Sequence, residues 1–273
     1  MPIDAQPAAL RFDRVSLSFD GEPALIDVSF ELAQGESCVI LGAAGSGKTV
    51  ALKLALGLLK ADSGRVSVFG QDITGLEEQA LFDIRARMGI LFQEGGLFDS
   101  LTIEENVAYP LLNQRIVRHP PEEVRRRVEE ALTFVELEHT LEKFPSELSG
   151  GMRRRVGIAR AVVTEPHLVL YDSPTAGLDP ITAYTIIELI VKGRDLRNTT
   201  TAMVTHRYQD GVWLSDFRYN PESGRLERAS GNGGGAAAST RFMVFEEGRL
   251  VFDGTRAEVE SSGNPYVAKF VKR

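Results

Sequence analysis

A chain of 273 residues with 43% hydrophobic side chains can bury the core of one large domain or two small ones, and its 25% charged residues set it apart from fibrous and disordered compositions. Thirty-one lysines and arginines against 38 aspartates and glutamates leave a net charge of −7, which excludes a protein whose main task is to coat nucleic acid. The one cysteine, Cys38, lies in the apolar run Ser37 to Leu41, where a core role is expected and no intrachain disulfide can form.

The segment Met1 to Pro7 lacks the basic start and apolar stretch of a secretory signal, so synthesis in a reducing cytosol is expected. Val15, Leu17 and Phe19 then alternate with Ser16 and Ser18. After a Gly21-Glu22-Pro23 turn signal, Ala24 to Leu32 continues the period of two, which predicts an antiparallel strand pair. Ser37 to Leu41 reads as a buried strand, a loop of Gly and Ala follows, and Lys48 to Leu59 predicts a helix. The apolar part of that helix, Val50 to Leu59, is interrupted by Lys53 and is about half the length that a bilayer requires, so any membrane function needs a partner. Arg65 to Phe69 and Met88 to Phe92 supply further strands. His167 to Tyr171 and Thr201 to Val204 predict buried parallel ones, because they are apolar without alternation.

Between Gln93 and Tyr171 the pattern turns helical. Thr102 and Glu105 have the spacing of a capping box, and Pro120-Pro121-Glu122-Glu123 opens a second helix with proline and acid at its positive end. Val124, Val128, Leu132 and Val135 share one face of that helix. Arg125, Arg126, Arg127, Glu129 and Glu130 share the other, a solvated face or a partner surface. A helical subdomain of about residues 95–160, inserted in an α/β core, is expected. After His206, Asn220 to Gly224 predicts a hairpin and Gly231 to Ala238 a flexible linker, an insertion of about residues 218–240. A capped helix beginning near Thr255 and Glu258, then an amphipathic tail after Asn264-Pro265, close the chain.

Gly42-Ala43-Ala44-Gly45-Ser46-Gly47-Lys48-Thr49 matches G-x-x-x-x-G-K-[ST] between a strand and a helix. Its glycines let successive backbone N–H groups converge on a phosphate at the helix N-terminus; Lys48 would reach the β- and γ-phosphates and the Thr49 hydroxyl would bind Mg²⁺. Leu168 to Tyr171 leads into Asp172, a carboxylate at the C-terminal edge of the sheet and the natural Mg²⁺ partner of such a loop. Leu148-Ser149-Gly150-Gly151-Met152 precedes a helix expected over Arg153 to Val163. An N-cap explains Ser149 but not two adjacent glycines, which cost helix stability; a phosphate seat explains both.

With these residues in this order, the chain resembles the nucleotide-binding subunits of ABC transporters, from Phe12 to the C-terminal helix. Gly42 to Thr49 resembles the Walker A motif, Leu148 to Met152 the family signature and Leu168 to Asp172 the Walker B strand. Gln93 resembles the Q-loop glutamine, Ala176 to Asp179 the D-loop, and His206 the switch histidine. The resemblance implies an α/β P-loop NTPase of ABC type over residues 8–273, with an antiparallel β edge and the inserted helical subdomain. It implies ATP and Mg²⁺ as ligands. Phe19, which its alternation leaves open as core or exposed, would stack on adenine. Gly42, Ala43, Ala44, Gly45, Ser46, Gly47, Lys48 and Thr49 would surround the phosphates, and Thr49, Gln93 and Asp172 would hold Mg²⁺. Gln93, Ser173, Asp179 and His206 fall at catalytic positions, while Ser149, Gly150 and Gly151 would close on the γ-phosphate of a nucleotide held by a second chain.

Within the family the likeness is to the ATPases of Mla and Mce lipid-transport systems, which include proteins labelled toluene-tolerance transporters. It is carried by Phe92 to Thr102, Asn106 to Leu111, Met152 and Pro265-Tyr266-Val267. It implies a homodimer or a heterodimer with another ABC ATPase, a permease of MlaE type, an Mce-type lipid-binding protein in the wider complex and no nucleic acid. The expected place is cytoplasmic, peripheral on the inner face of the cell membrane.

The chain departs from the pattern at Ser173, where the resemblance predicts a glutamate that polarises the attacking water. A serine hydroxyl is a poor base at neutral pH. Slow turnover, a partner chain with an intact glutamate, or a substitute carboxylate, for which Glu94 is the nearby candidate, are the alternatives. A hydrolysis-impaired ATP-dependent switch or scaffold is the rival function.

Overall fold

The computed structural model describes residues 7–114, 118–229 and 240–271. In chain order these form β1 (Leu10–Phe19), β2 (Glu22–Leu32), β3 (Ser37–Gly42), α1 (Lys48–Ala55), β4 (Ser63–Val68), β5 (Gln71–Asp72), α2 (Glu78–Arg85) and β6 (Met88–Leu91). There follow α3 (Ile103–Leu112), α4 (Pro121–Phe134), α5 (Gly150–Val162), β7 (Leu168–Asp172), α6 (Pro180–Arg197), β8 (Thr200–Thr205) and α7 (Tyr208–Asp216). The last elements are β9 (Phe217–Asn220), β10 (Arg225–Arg228), β11 (Thr240–Glu246), β12 (Arg249–Thr255), α8 (Arg256–Glu260) and α9 (Pro265–Val271).

The first two strands turn through Asp20 and Gly21, whose φ angles of 49° and 85° are those of a tight hairpin turn. They do not extend the main sheet. With β4 and β5 they make a separate four-stranded antiparallel sheet, ordered β2-β1-β4-β5, because the buried side chains of β1, among them Phe12 stacked on Phe30, face the core sheet rather than pair with it. The core sheet runs β12-β11-β3-β8-β7-β6; all its neighbours are parallel except β11 and β12. Every residue of β3, β7 and β8 is buried, as their apolar runs predicted, and alternate residues enter two cores. Val39, Leu41, Val169, Tyr171 and Met203 join the core beneath α3–α6, whereas Cys38, Ile40, Leu168, Leu170, Ala202 and Val204 join the core against α1, α2 and the antiparallel sheet.

Cys38 is therefore a core residue, its thiol pKa pushed up by burial. The register sets Leu41 beside Thr205, Val204 beside Asp172 and Tyr171 beside Leu91. The loops leaving β3, β6, β7 and β8 consequently emerge along one edge. That edge carries the chemistry.

The helices obey their local signals with two shifts. Thr102 and Glu105 form the reciprocal capping box at 2.8 and 3.2 Å, and α4 buries Val124, Val128 and Leu132 while its arginines pair with Glu123, Glu129 and Glu130 along the outer face. The helix expected to reach Leu59 ends at Ala55, because Gly57 takes a φ of 65° that breaks it. The helix expected from Arg153 begins at Gly150: the Ser149 hydroxyl accepts from the Met152 amide at 3.2 Å and draws both glycines into the first turn.

The hairpin around Asn220 forms as β9 and β10, and the stretch read as a linker, residues 231–238, lies outside the described residues. Among the described residues no helix is long and apolar enough to cross a membrane. Strand β6 and α5 meet at Gly89, where an added Cβ would lie 2.1 Å from the Ala161 carbonyl oxygen. Gly89→Ala is expected to destabilise the fold by about 1–3 kcal/mol through overpacking, read as a lower midpoint of denaturant unfolding at unchanged slope.

Candidate nucleotide site

The loop from β3 to α1 is shaped by backbone that only glycine adopts cheaply. Gly45 and Gly47 have φ angles of 79° and 99°, and a Cβ at Gly47 would sit 2.6 Å from the Ala24 carbonyl oxygen. No side chain caps α1, so the positive end of its dipole points into the loop. Lys48 curls back over the loop, its Nζ donating to Gly42 O at 2.9 Å, Ala43 O at 2.7 Å and Ser46 Oγ at 3.1 Å. Burial pushes the Lys48 pKa down to about 8, against the opposing pull of the Asp172 charge. An anion in the loop would relieve that desolvation.

Asp172 is buried at the end of β7 with both carboxylate oxygens engaged. Thr49 Oγ1 donates to Oδ2 at 3.0 Å and Ser173 Oγ to Oδ1 at 3.1 Å. A hydroxyl and a carboxylate in contact are an oxygen-only set, which suits Mg²⁺, a hard cation that takes one or two carboxylates and fills the rest of its sphere with other oxygens, water and phosphate. No group of three or more His, Cys, Asp or Glu able to hold a metal by themselves occurs among the described residues.

A cavity of about 490 Å³ opens over this loop and is lined by Phe19, Ala24, Ala44 to Val50, Gln93, Ser173, Ala176 and His206. The fold thus gathers most of the expected set from five separate stretches of chain. Phe19 is 46% exposed on the cavity wall, which decides against the core alternative that alternation left open: the strand ends there, past the edge of the buried face. Ser173 has a φ of 49° and its amide donates to Val204 O at 2.8 Å, so the residue after Asp172 turns sharply away from the sheet toward the cavity.

The remaining expected residues lie elsewhere. Ser149, Gly150 and Gly151 do not reach the Lys48 cavity; Gly150 lines a second cavity of about 660 Å³ that shares Gln93 and Ala176 with the first. Glu94 lines that second cavity and not the first, with its charge acting on Arg154. The Asp179 carboxylate caps α6, accepting from the Ile181 and Thr182 amides at 3.0 Å each and from the Thr182 hydroxyl at 2.6 Å. Those bonds, the Thr182 hydroxyl first, hold its pKa below the ordinary aspartate value.

Sequence reasoning missed the side chains that brace the site. Arg154 Nη1 donates to Pro174 O and Ala176 O at 2.9 Å each, and Arg160 Nη2 donates to Gly95 O and Gly96 O at 3.0 and 2.7 Å, so α5 grips the turns after β7 and β6. The Ala43 amide donates to the Tyr266 hydroxyl at 3.1 Å, which ties the first turn of the phosphate loop to α9. Asp210, wholly buried in α7, accepts from Thr175 and Thr205. Nothing in residue spacing marks these contacts, which join positions 5 to 223 residues apart.

A strand, a phosphate loop with its lysine, a helix, and a carboxylate at the end of a strand two places along the same sheet define a nucleoside-triphosphate-binding protein of the P-loop class. The family model described as ABC transporter matches residues 25–176. The chain belongs to that family, and ATP with Mg²⁺ is the ligand its site is built for. The probable ribonucleotide transport ATP-binding protein mkl of Mycobacterium leprae is 37% identical over 72% of this chain and 56% of its own length. The methionine import ATP-binding protein MetN of Carboxydothermus hydrogenoformans is 40% identical over 74% and 59%. The intermembrane phospholipid transport system ATP-binding protein MlaF of Haemophilus influenzae is 37% identical over 73% and 75%. The match thus spans 56% to 59% of the mkl and MetN relatives. The structure described as a dimeric post-hydrolysis state of the ATP-binding cassette MJ0796 bound to ADP and Pi superposes with a TM-score of 0.75 at 27% identity, over 90% of this chain and 98% of that one.

Proposed function

We propose that this chain is an ATP-hydrolysing subunit that drives a separate membrane permease, with residues 8–273 as one nucleotide-binding domain, about 95–160 as its helical subdomain and about 218–240 as an insertion. The observation that carries the reading is the Lys48 ammonium held on its own loop carbonyls above the Thr49–Asp172 pair, at the floor of the cavity that Gln93, Ser173 and His206 line. Lys48 would exchange its loop carbonyls for phosphate oxygens, the glycine-loop amides would cradle the phosphates, and Phe19 would cover the base. Thr49, Asp172 and Gln93 would hold Mg²⁺, which supplies neutralisation of charge on the phosphates. Gln93 and His206 would orient water and the terminal phosphate. Asp179 would act by fixing the start of α6 beside the cavity.

Ser149, Gly150 and Gly151 cannot serve their own phosphate loop from where they sit; a second ATPase chain, identical or related, would bring its own copy of them across. Ser149→Arg is accordingly expected to leave ATP binding near wild type and to abolish ATP-dependent dimerisation, measured by light scattering. Dimerisation that persists in this variant defeats the two-chain site.

A lipid or other hydrophobic cargo, an MlaE-type permease, an Mce-type partner and a place on the cytoplasmic face of the membrane are proposed from the likeness in 92–102, 106–111 and 265–267 and from the printed name of the MlaF relative. Relatives named for methionine and ribonucleotide transport match at similar identity. A cleft of about 370 Å³ lined by Met88, Phe92, Phe98, Tyr109 and Arg160 offers the permease an apolar seat with half-exposed aromatic rings. Co-purification of a permease carrying lipid tests this reading, and a complex that carries methionine or nucleotide in its place rejects the cargo. One observation favours a second reading. Ser173 stands where a catalytic carboxylate is expected, and an ATP-closed switch with negligible turnover would need nothing more.

A further inference from the structure

The turn that carries Ser173 and the loop that carries His206 are joined underneath by one buried carboxylate. Asp210, fully buried in the first turn of α7, accepts with a single oxygen, Oδ2, from Thr175 Oγ1 at 2.5 Å and from Thr205 Oγ1 at 2.8 Å. Both threonines are themselves buried, one two residues after Ser173 and the other immediately before His206. Its second oxygen is buried, accepts no hydrogen bond among the described residues and faces Arg207 Nε at 3.7 Å. Burying a carboxylate is expensive unless its partners repay it, so a carboxylate kept here with half its acceptor capacity unused is a poor stabilising device. It is placed well for another task. The Ser173 turn is gripped from the other side by Arg154 through Pro174 O and Ala176 O, and its first amide is bonded to β8. The His206 loop has the Thr205 hydroxyl, which also accepts from the Arg207 amide at 3.0 Å.

We propose that Asp210 is a positioning residue that clamps the Ser173 turn to the His206 loop, so that the two cavity walls that would handle the terminal phosphate and the attacking water move as one body. The inference rests on the reading of this cavity as an ATP-hydrolysing site. In a site that has lost its usual carboxylate base, rate depends on geometry to an unusual degree, because positioning and electrostatics are what remain.

Asp210→Ala is expected to lower kcat for ATP about ten- to hundredfold, the effect of a small misplacement. KM should stay within about twofold, because the phosphate loop is untouched. Asp210→Asn, whose side-chain oxygen still accepts from both hydroxyls, should recover most of the rate, which a loss of general stability would not. Hydrogen exchange supplies a readout independent of turnover: amides of residues 173–176 and 205–207 should exchange faster together in Asp210→Ala while those of 43–49 keep wild-type rates. Should Asp210→Ala fail to fold, Thr175→Val and Thr205→Val carry the test, the double variant losing about as much kcat as the worse single one.

A folded Asp210→Ala with kcat within about threefold of wild type, or faster exchange in one of the two segments alone, overturns the clamp. If wild type hydrolyses ATP no faster than Lys48→Ala while both segments still loosen together, the hydrolytic reading fails and the clamp stands as a structural link.

Discussion

Lys48→Ala is expected to abolish tight ATP binding while leaving the fold intact. Removing one partner of a desolvated charge pair costs about 2–5 kcal/mol, which is a loss of roughly thirty- to several-thousandfold in affinity. The fold should survive because the ammonium, already driven down to a pKa of about 8 by burial, contributes only bonds to two carbonyls and one hydroxyl of its own loop in the absence of phosphate. Calorimetry of the variant with Mg-ATP, alongside thermal unfolding, measures both halves. An affinity equal to wild type would remove the phosphate loop from the site.

Ser173→Glu is expected to raise hydrolysis by the assembled complex about a hundred- to ten-thousandfold, the worth of a positioned general base. The backbone at 173 already pays for its φ of 49°, and a glutamate pays no more there than a serine. Its side chain would enter the cavity that Ser173 already lines, beside Gln93 and His206. Glu94→Gln should leave turnover unchanged, since Glu94 lines the neighbouring cavity. Steady-state hydrolysis in the three proteins decides. Loss of turnover in Glu94→Gln with ATP-driven closure intact would make Glu94 the base after a movement that brings the two cavities together. Fast wild-type hydrolysis insensitive to Glu94 would place the base elsewhere, and Ser173→Glu would then gain nothing.

The three wholly buried strands of the core sheet, the caps at Thr102 and Thr255, the charged outer face of α4 and the strand–loop–helix unit at Lys48 were all legible in the sequence. Each depends on residues within a turn or two of one another: an apolar run, a cap with its acid three positions on, a glycine-rich loop. The shifts at Leu59 and Arg153 came from the same short range, where Gly57 and Ser149 outweighed the apolar periodicity beyond them. Phe19 shows where the local rule stops. Alternation gives the side a residue faces but not where the covering layer ends, and Phe19 lies just past that limit.

By itself, then, the sequence determined the family, the nucleotide ligand and a candidate set of residues to hold it, because phosphate recognition is built from one short loop and from carboxyl ends of strands that patterning can locate. Only the tertiary structure decided which of those residues share a cavity, that the Ser149 turn opens on a different one, and that Asp179 spends its carboxylate on a helix cap. It alone brought Arg154, Tyr266 and Asp210 to the loops they hold. The physical reason is the sheet. Parallel strands need crossover connections of a dozen or more residues, so side chains remote in sequence meet at one edge, and their partners are set by strand order, which no local signal encodes.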